Sequence, residues 1–214
     1  MKILIGTPIK ETLPVGYVQS LVNMITADKD NEFTLQLEYG ALYDARDRIC
    51  RRVIRDDFDC VLFIDSDMTF KPDLAKKLTS HGLDVVTGLY VDKHENHKPL
   101  IFDTVSPEDE DNAPFATRAG LRFDEPLIEI QGCGAGALMI TNNMLRLVQI
   151  HQHDWFKPFK GLGEDVSFCH RVTSAPLNHK IYCDTTARLG HLKTIEYTFD
   201  DWTGVLDEVK GGMK

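Results

Sequence analysis

No apolar run in this chain approaches the ~18 residues of a membrane-crossing helix, so no stretch reads as a membrane span. No two cysteines stand in CxxC spacing. The five, at 50, 60, 133, 169 and 183, are scattered and odd in number. That argues against a disulfide framework or a zinc knuckle and for reduced thiols in a cytoplasmic protein. No lysine completes the glycine run 132–136 as a phosphate-binding P-loop, and no dinucleotide fingerprint of spaced glycines follows the first apolar stretch. Positive charge is in short supply: 24 Lys and Arg against 33 Asp and Glu give a net charge of −9. This disfavours a broad nucleic-acid footprint, though not a local basic groove. No repeat, low-complexity tract or linker divides the chain. What is present is globular in composition, 43% hydrophobic and 27% charged over 214 residues, enough for one domain with a subdomain.

The most informative stretch is 60–70, Cys-Val-Leu-Phe-Ile-Asp-Ser-Asp-Met-Thr-Phe. Its apolar run has no polar alternation, which predicts a strand buried on both faces. The run ends in Asp65 and Asp67, spaced i, i+2. If extended backbone persists, the two carboxylates point the same way. In open α/β sheets ligands bind beyond the carboxyl ends of strands, where these acids fall. Two convergent carboxylates make physical sense with a hard cation, Mg²⁺ or Mn²⁺, set between them and a phosphate. A helix cap plus a solvated turn residue would use the same letters.

Around this stretch the periodicities alternate. Strands are predicted over 2–5, 33–37, 59–64 and 84–87, and helices over 15–27, 42–56 and from Pro72 to about 80. The first strand is expected to end at Thr7-Pro8. The opening residues are too short for a signal peptide and read as part of that strand. The order β-α-β-α-β-α-β is that of a parallel sheet with right-handed crossovers. From 91 to 125 the chain turns polar and turn-rich, with short strands expected at 98–103, 115–118 and 121–123 around the acidic run 108–111. A strand over 127–131 and a small-residue run into an apolar one, 132–140, follow. Asn142-Asn143 is expected to cap a helix over 144–150, and 161–172 reads as a glycine turn entering another helix. A strand at 180–183 and an amphipathic segment over 199–209 complete the pattern.

Three later features can be read with the paired aspartates. Glu164-Asp165 after Gly163 either complements a helix N-terminus or supplies a carboxylate general base. Gly190-His191 follows a strand and offers an imidazole as a third metal ligand, or is an ordinary surface histidine. The glycines of 132–136 allow close backbone packing, or the approach of a sugar ring.

In this order the parts resemble the GT-A-fold glycosyltransferases, nearest to small inverting family-2-type enzymes of bacteria and phages. The resemblance rests on Asp65-Ser66-Asp67 after a buried strand, an arginine-bearing helix before it, Gly88-Leu89-Tyr90, Gly134-Ala135-Gly136-Ala137, Gly163-Glu164-Asp165 and Gly190-His191, and covers about residues 2–195. It implies an α/β, Rossmann-like three-layer fold with a mostly parallel central sheet and a small acceptor-side β-subdomain. It implies one domain over 1–214, with a nucleotide-binding half at 1–90, an acceptor-side half at 91–198 and a C-terminal helix and tail at 199–214.

The implied activity is transfer of a hexosyl or pentosyl group from a nucleotide-diphosphate sugar to an acceptor hydroxyl on a glycan, a protein or a modified DNA base, by an inverting route. The implied cofactor is Mn²⁺ or Mg²⁺, held by Asp65, Asp67 and His191. Thr7, Pro8, Arg46, Asp47, Asp65, Ser66, Gly88 and Gly134 would border the donor. Asp47 stands where the family often has Asn. Asp165 would be the base, with Glu164 positioning the acceptor. The aromatic and basic stretch 151–160 would rim the acceptor side. Two other readings fit parts of the pattern. One is a haloacid-dehalogenase-type phosphatase with Asp65 as nucleophile. The other is a non-catalytic nucleotide-sugar-binding module.

Overall fold

The computed structural model describes residues 1–93, 97–105, 107, 115–117 and 125–193. The strand expected at 121–123, the acidic run 108–111 and the amphipathic segment 199–209 lie outside the described residues.

The strands and helices expected in the first ninety residues form, with one short strand, Met68–Thr69, that the periodicity did not mark. β1 (Lys2–Ile9), α1 (Val15–Ala27), β2 (Glu32–Tyr39), α2 (Leu42–Arg55), β3 (Cys60–Ile64), the short β4 (Met68–Thr69), α3 (Leu74–Ser80) and β5 (Val85–Leu89) follow in order. All five residues of β3 are buried. Val61 and Phe63 pack with Ile49, Cys50 and Val53 of α2 on one face, while Leu62 and Ile64 pack with Tyr17, Leu21 and Met24 of α1 on the other. Each such side chain contributes about 1.5–3 kcal/mol of burial, which locks the strand at the centre of the molecule.

β1 does not stop at Thr7-Pro8 but runs on to Ile9. Its pairing with β3 ends at Gly6, and beyond that only β2 pairs with it. Pro8, lacking an N–H, is tolerated where one flank has no ladder to complete. Pro72 precedes α3 rather than lying in its first turn, since the helix begins at Leu74.

The second half adds β6 (Ile101–Val105), β7 (Phe115–Thr117), β8 (Leu127–Ile130), β9 (Gly132–Cys133), β10 (Ala137–Thr141), α4 (Asn142–Gln152), α5 (Glu164–Thr173), β11 (Ile181–Arg188) and β12 (Gly190–His191). The main sheet has seven strands in the order β2-β1-β3-β10-β5-β11-β8. β10, the apolar end of the glycine-rich run, enters antiparallel between β3 and β5. α4 is capped by Thr141, whose hydroxyl accepts the Met144 N–H at 3.2 Å, one residue before the predicted asparagines.

α1 and α3 cover one face of the sheet, and α2, α4 and α5 the other. Two small sheets, β7-β6-β9 and β12-β4, flank the main one. The five cysteines are all free and buried. Among the described residues no helix is long and apolar enough to cross a membrane.

Candidate active site

The chain leaves β3 in a tight turn. The Met68 N–H bonds back to the Asp65 carbonyl at 3.1 Å, and the Asp65 N–H reaches Gly136 O at 3.3 Å. Extended geometry therefore does not persist through Ser66, and the two aspartates, expected to converge, take different partners.

Asp65 turns to α2. Arg46 donates to its Oδ1 at 2.8 Å and to Glu164 Oε1 at 2.6 Å. The arginine side chain is only 2% exposed, while Asp65 and Glu164 are 33% and 22% exposed. One buried guanidinium thus ties the end of β3 to the start of α5. A planar fork suits this bridge, because each carboxylate meets its own guanidinium nitrogen.

Next to Glu164, Asp165 sits in the first turn of α5, behind Gly163 at the N-cap. Its Oδ1 accepts the Val166 N–H at 2.8 Å. Burial and the adjacent Glu164 push the Asp165 carboxyl up to about 6, against the pull of Arg46. A carboxyl with that value is poised to take a proton near neutral pH. A Cβ on Gly134 would stand 2.2 Å from Tyr90 Oη and 3.5 Å from Asp165 Oδ2, so the glycine is what lets backbone pass between them. The Tyr90 hydroxyl, buried, accepts the Gly136 N–H at 2.9 Å.

Asp67 faces the other way. β12 pairs antiparallel with β4, setting His191 opposite Met68, and the Leu192 N–H bonds Asp67 O at 2.7 Å. A Cβ on Gly190 would lie 2.5 Å from Thr69 Oγ1, so only glycine fits that crossing. His191 Nε2 then stands 3.3 Å from Asp67 Oδ2. Its Nδ1 lies 2.9 Å from the Val91 carbonyl, an acceptor that places the proton on Nδ1. Lys93 Nζ donates to the same Asp67 Oδ2 at 2.6 Å. Burial acts to raise the Asp67 carboxyl, but the hydrogen bond and charge of Lys93 help to hold it below its ordinary value.

The divalent cation implied by the family resemblance can be tested against these residues. Among the described residues no group of three His, Cys, Asp or Glu is arranged to hold a metal ion. Asp67 and His191 stand side by side, a carboxylate and an imidazole whose Nε2 faces it at 3.3 Å. That pair fits a cation completed by diphosphate oxygens and water. Asp65 gives its Oδ1 to Arg46.

The remaining expected residues are placed variously. Thr7 is fully buried with its hydroxyl bonded to that of Tyr17, and Pro8 is buried in β1. Ser66 is half-buried in the turn between the aspartates. Gly88 lies in β5, where a Cβ would strike Leu189 Cδ1 at 2.6 Å. Asp47, on the same helix as Arg46, accepts the Phe156 N–H at 3.0 Å and so anchors the 151–160 segment to α2. Within that segment Trp155 and Phe156 are core residues.

Sequence reasoning missed Lys93, which sits in a polar stretch with no periodicity to mark it. It noted Tyr90 only as part of a glycine motif. A cavity of about 220 Å³ lined by Leu89, Tyr90, Val91, Arg188 and Leu189 opens beside these residues, beyond the carboxyl ends of β5 and β11.

No family model matches the sequence, and no curated protein matches it significantly. Solved structures do match in shape. The viral protein A197 from STIV superposes with a TM-score of 0.60 at 18% identity, over 91% of this chain and 87% of that one. TarS 1–349 of S. aureus, in complex with UDP-GlcNAc, gives 0.56 at 15% identity over 92% of this chain. GalNAc-T7 with UDP, GalNAc and Mn²⁺ gives 0.57 at 8% identity over 95%. The chain spans about 60% of the TarS fragment and 44% of GalNAc-T7. Sheet order, the antiparallel strand at its centre and these superpositions agree: the chain has the GT-A fold found in nucleotide-sugar glycosyltransferases.

Proposed function

We propose that the protein is a glycosyltransferase that moves a sugar from a nucleotide-diphosphate donor to an acceptor hydroxyl. The observation that carries this is the Arg46 bridge. It holds the aspartate turn after β3 and the Glu164-Asp165 start of α5 beside one another, one suited to a diphosphate and the other to a base.

Asp67 and His191 would hold a divalent cation, Mn²⁺ or Mg²⁺, which when bound supplies charge neutralisation for the departing diphosphate. Asp165 accepts the proton of the acceptor hydroxyl. Its raised carboxyl makes it a stronger base than a solvated aspartate, and it titrates just below neutral pH. Glu164, held by Arg46, is a positioning residue that sets the first turn of α5 and with it the direction of Asp165. Gly134 keeps the space between Tyr90 and Asp165 free of a side chain, and Gly136 does so between Tyr90 and Met68. One base opposite one leaving group suits an in-line, inverting displacement. A glycan, a protein or a modified DNA base remain the acceptor classes.

The phosphatase reading loses its ground. Asp65, its nucleophile, is paired to a buried arginine, and β3 follows two strand–helix units instead of opening the sheet. A screen of nucleotide sugars with Mn²⁺ by thermal shift tests the proposal. A donor that stabilises the protein by RT ln(1 + [L]/Kd) and is hydrolysed slowly, with hydrolysis lost in Asp67→Ala, is expected. Donor binding without any turnover would mark a binding module, and no shift with any donor overturns the reading.

A further inference from the structure

We propose that Lys93 is a built-in competitor of the divalent cation at Asp67 and His191, so that the cation enters with the donor diphosphate and not before it. The inference rests on the metal part of the function proposed above.

Lys93 Nζ lies 2.6 Å from Asp67 Oδ2, the same oxygen that faces His191 Nε2 at 3.3 Å. An ammonium there takes the place of a cation, and a second positive charge cannot share that oxygen without strong repulsion. The segment that carries the lysine also builds the site. Val91, two residues earlier, accepts from His191 Nδ1 at 2.9 Å and so turns Nε2 toward Asp67. One short stretch thus orients the imidazole toward Asp67 and blocks the carboxylate next to it. The stretch is held at its base by the Val91–Pro99 bridge and by the Asp92 N–H to the Lys98 carbonyl at 2.8 Å.

The lysine itself is free to leave. Its side chain is 38% exposed on a flexible stem, in contrast to Arg46 at 2%. A divalent cation arriving alone must break the Lys93–Asp67 pair and leave the ammonium without a counterion. A cation arriving with a diphosphate supplies that counterion, since the displaced ammonium can turn to the phosphate oxygens. Metal and diphosphate affinities are then coupled, each raising the other by one factor, as linkage requires.

The test is Mn²⁺ binding, read from the electron paramagnetic resonance of free Mn²⁺, to wild type, Lys93→Met and Asp67→Asn, with and without UDP as the diphosphate probe. Wild type is expected to bind Mn²⁺ weakly alone and much more tightly with UDP. Lys93→Met is expected to bind Mn²⁺ alone about tenfold more tightly, with the gain from added UDP shrinking by a like factor. If Lys93→Met binds Mn²⁺ alone no better than wild type, the competitor role is overturned. The metal reading then still stands, provided that Asp67→Asn loses Mn²⁺ in the presence of UDP. If no protein binds Mn²⁺ under either condition, the metal reading falls and takes this inference with it. Lys93→Arg separates charge from packing: Mn²⁺ binding as weak as wild type supports the competitor role, and binding as tight as Lys93→Met counts against it.

Discussion

Asp65 and Asp67 stand two residues apart in one turn and live in different electrostatic worlds. Asp65 is paired to a guanidinium that is 2% exposed and shared with Glu164. Asp67 is paired to an ammonium that is 38% exposed and flanked by an imidazole. The first partner is fixed. Arg46 is buried beside the Phe156 ring, and its removal would strand two carboxylates. The second is replaceable, because a solvated lysine gives up a partly exposed ion pair at small cost. On the proposed reading, one aspartate belongs to the scaffold of the site, and the other to its exchangeable chemistry. A DxD pattern read as a single ligand set hides this division of labour.

The comparison can be broken in four places. The largest effect is expected at Asp165, which Arg46 positions through Glu164. Asp165→Asn should lower turnover by about 10²–10⁴-fold while the fold persists, measured as single-turnover sugar transfer or donor hydrolysis. In wild type the rate should fall as pH drops through about 6, where this carboxyl gains its proton. The stability sign is the reverse of the usual carboxylate case. The folded state raises this group above its unfolded value of about 3.9. The folded protein thus binds more protons between the two values, and stability declines as pH rises from about 4 to about 6. That segment of the pH–stability curve should flatten in Asp165→Asn. A curve unchanged by the substitution would show that Asp165 is not the group in question.

Arg46→Met comes next. Breaking a buried pair costs about 3–5 kcal/mol, and because both carboxylates reach solvent the loss should fall near about 3 kcal/mol in urea unfolding. Arg46→Lys should recover little of it, since one nitrogen cannot stand where Nη1 and Nη2 each meet an acid. Asp47→Ala, on the same helix, leaves the buried Phe156 N–H without its acceptor, a loss of about 1–3 kcal/mol. Amide exchange should quicken first around Phe156. Lys93→Met should be smallest in stability, under about 1 kcal/mol. A loss as large as that of Arg46→Met would erase the distinction between a fixed and a replaceable partner.

The same division runs through what could be read in advance. By itself the sequence determined the first ninety residues. Alternating apolar periods mark most of the strands and helices there, because each period records which faces of an element are buried, although β4 and the ends of β1 and α3 escaped it. It also determined that the acids at 65, 67, 164 and 165 and the histidine at 191 fall at strand ends or helix starts, since apolar runs stop where carboxylates begin.

What only the tertiary structure decided is which of these groups meet. An apolar run such as 137–141 is equally at home in a parallel or an antiparallel slot. Only packing between β3 and β5 made it antiparallel and brought the glycines of 134–136 beside Asp65. The turn at Ser66 overrode the i, i+2 rule, because a backbone hydrogen bond closed it. Contacts across 118 residues, Arg46 to Glu164, and across 26, Lys93 to Asp67, leave no trace in local spacing. Periodicity records which face of an element is buried, and nothing in it records which distant charge will neutralise an aspartate. For Asp65 that partner is a buried arginine, and for Asp67 a solvated lysine.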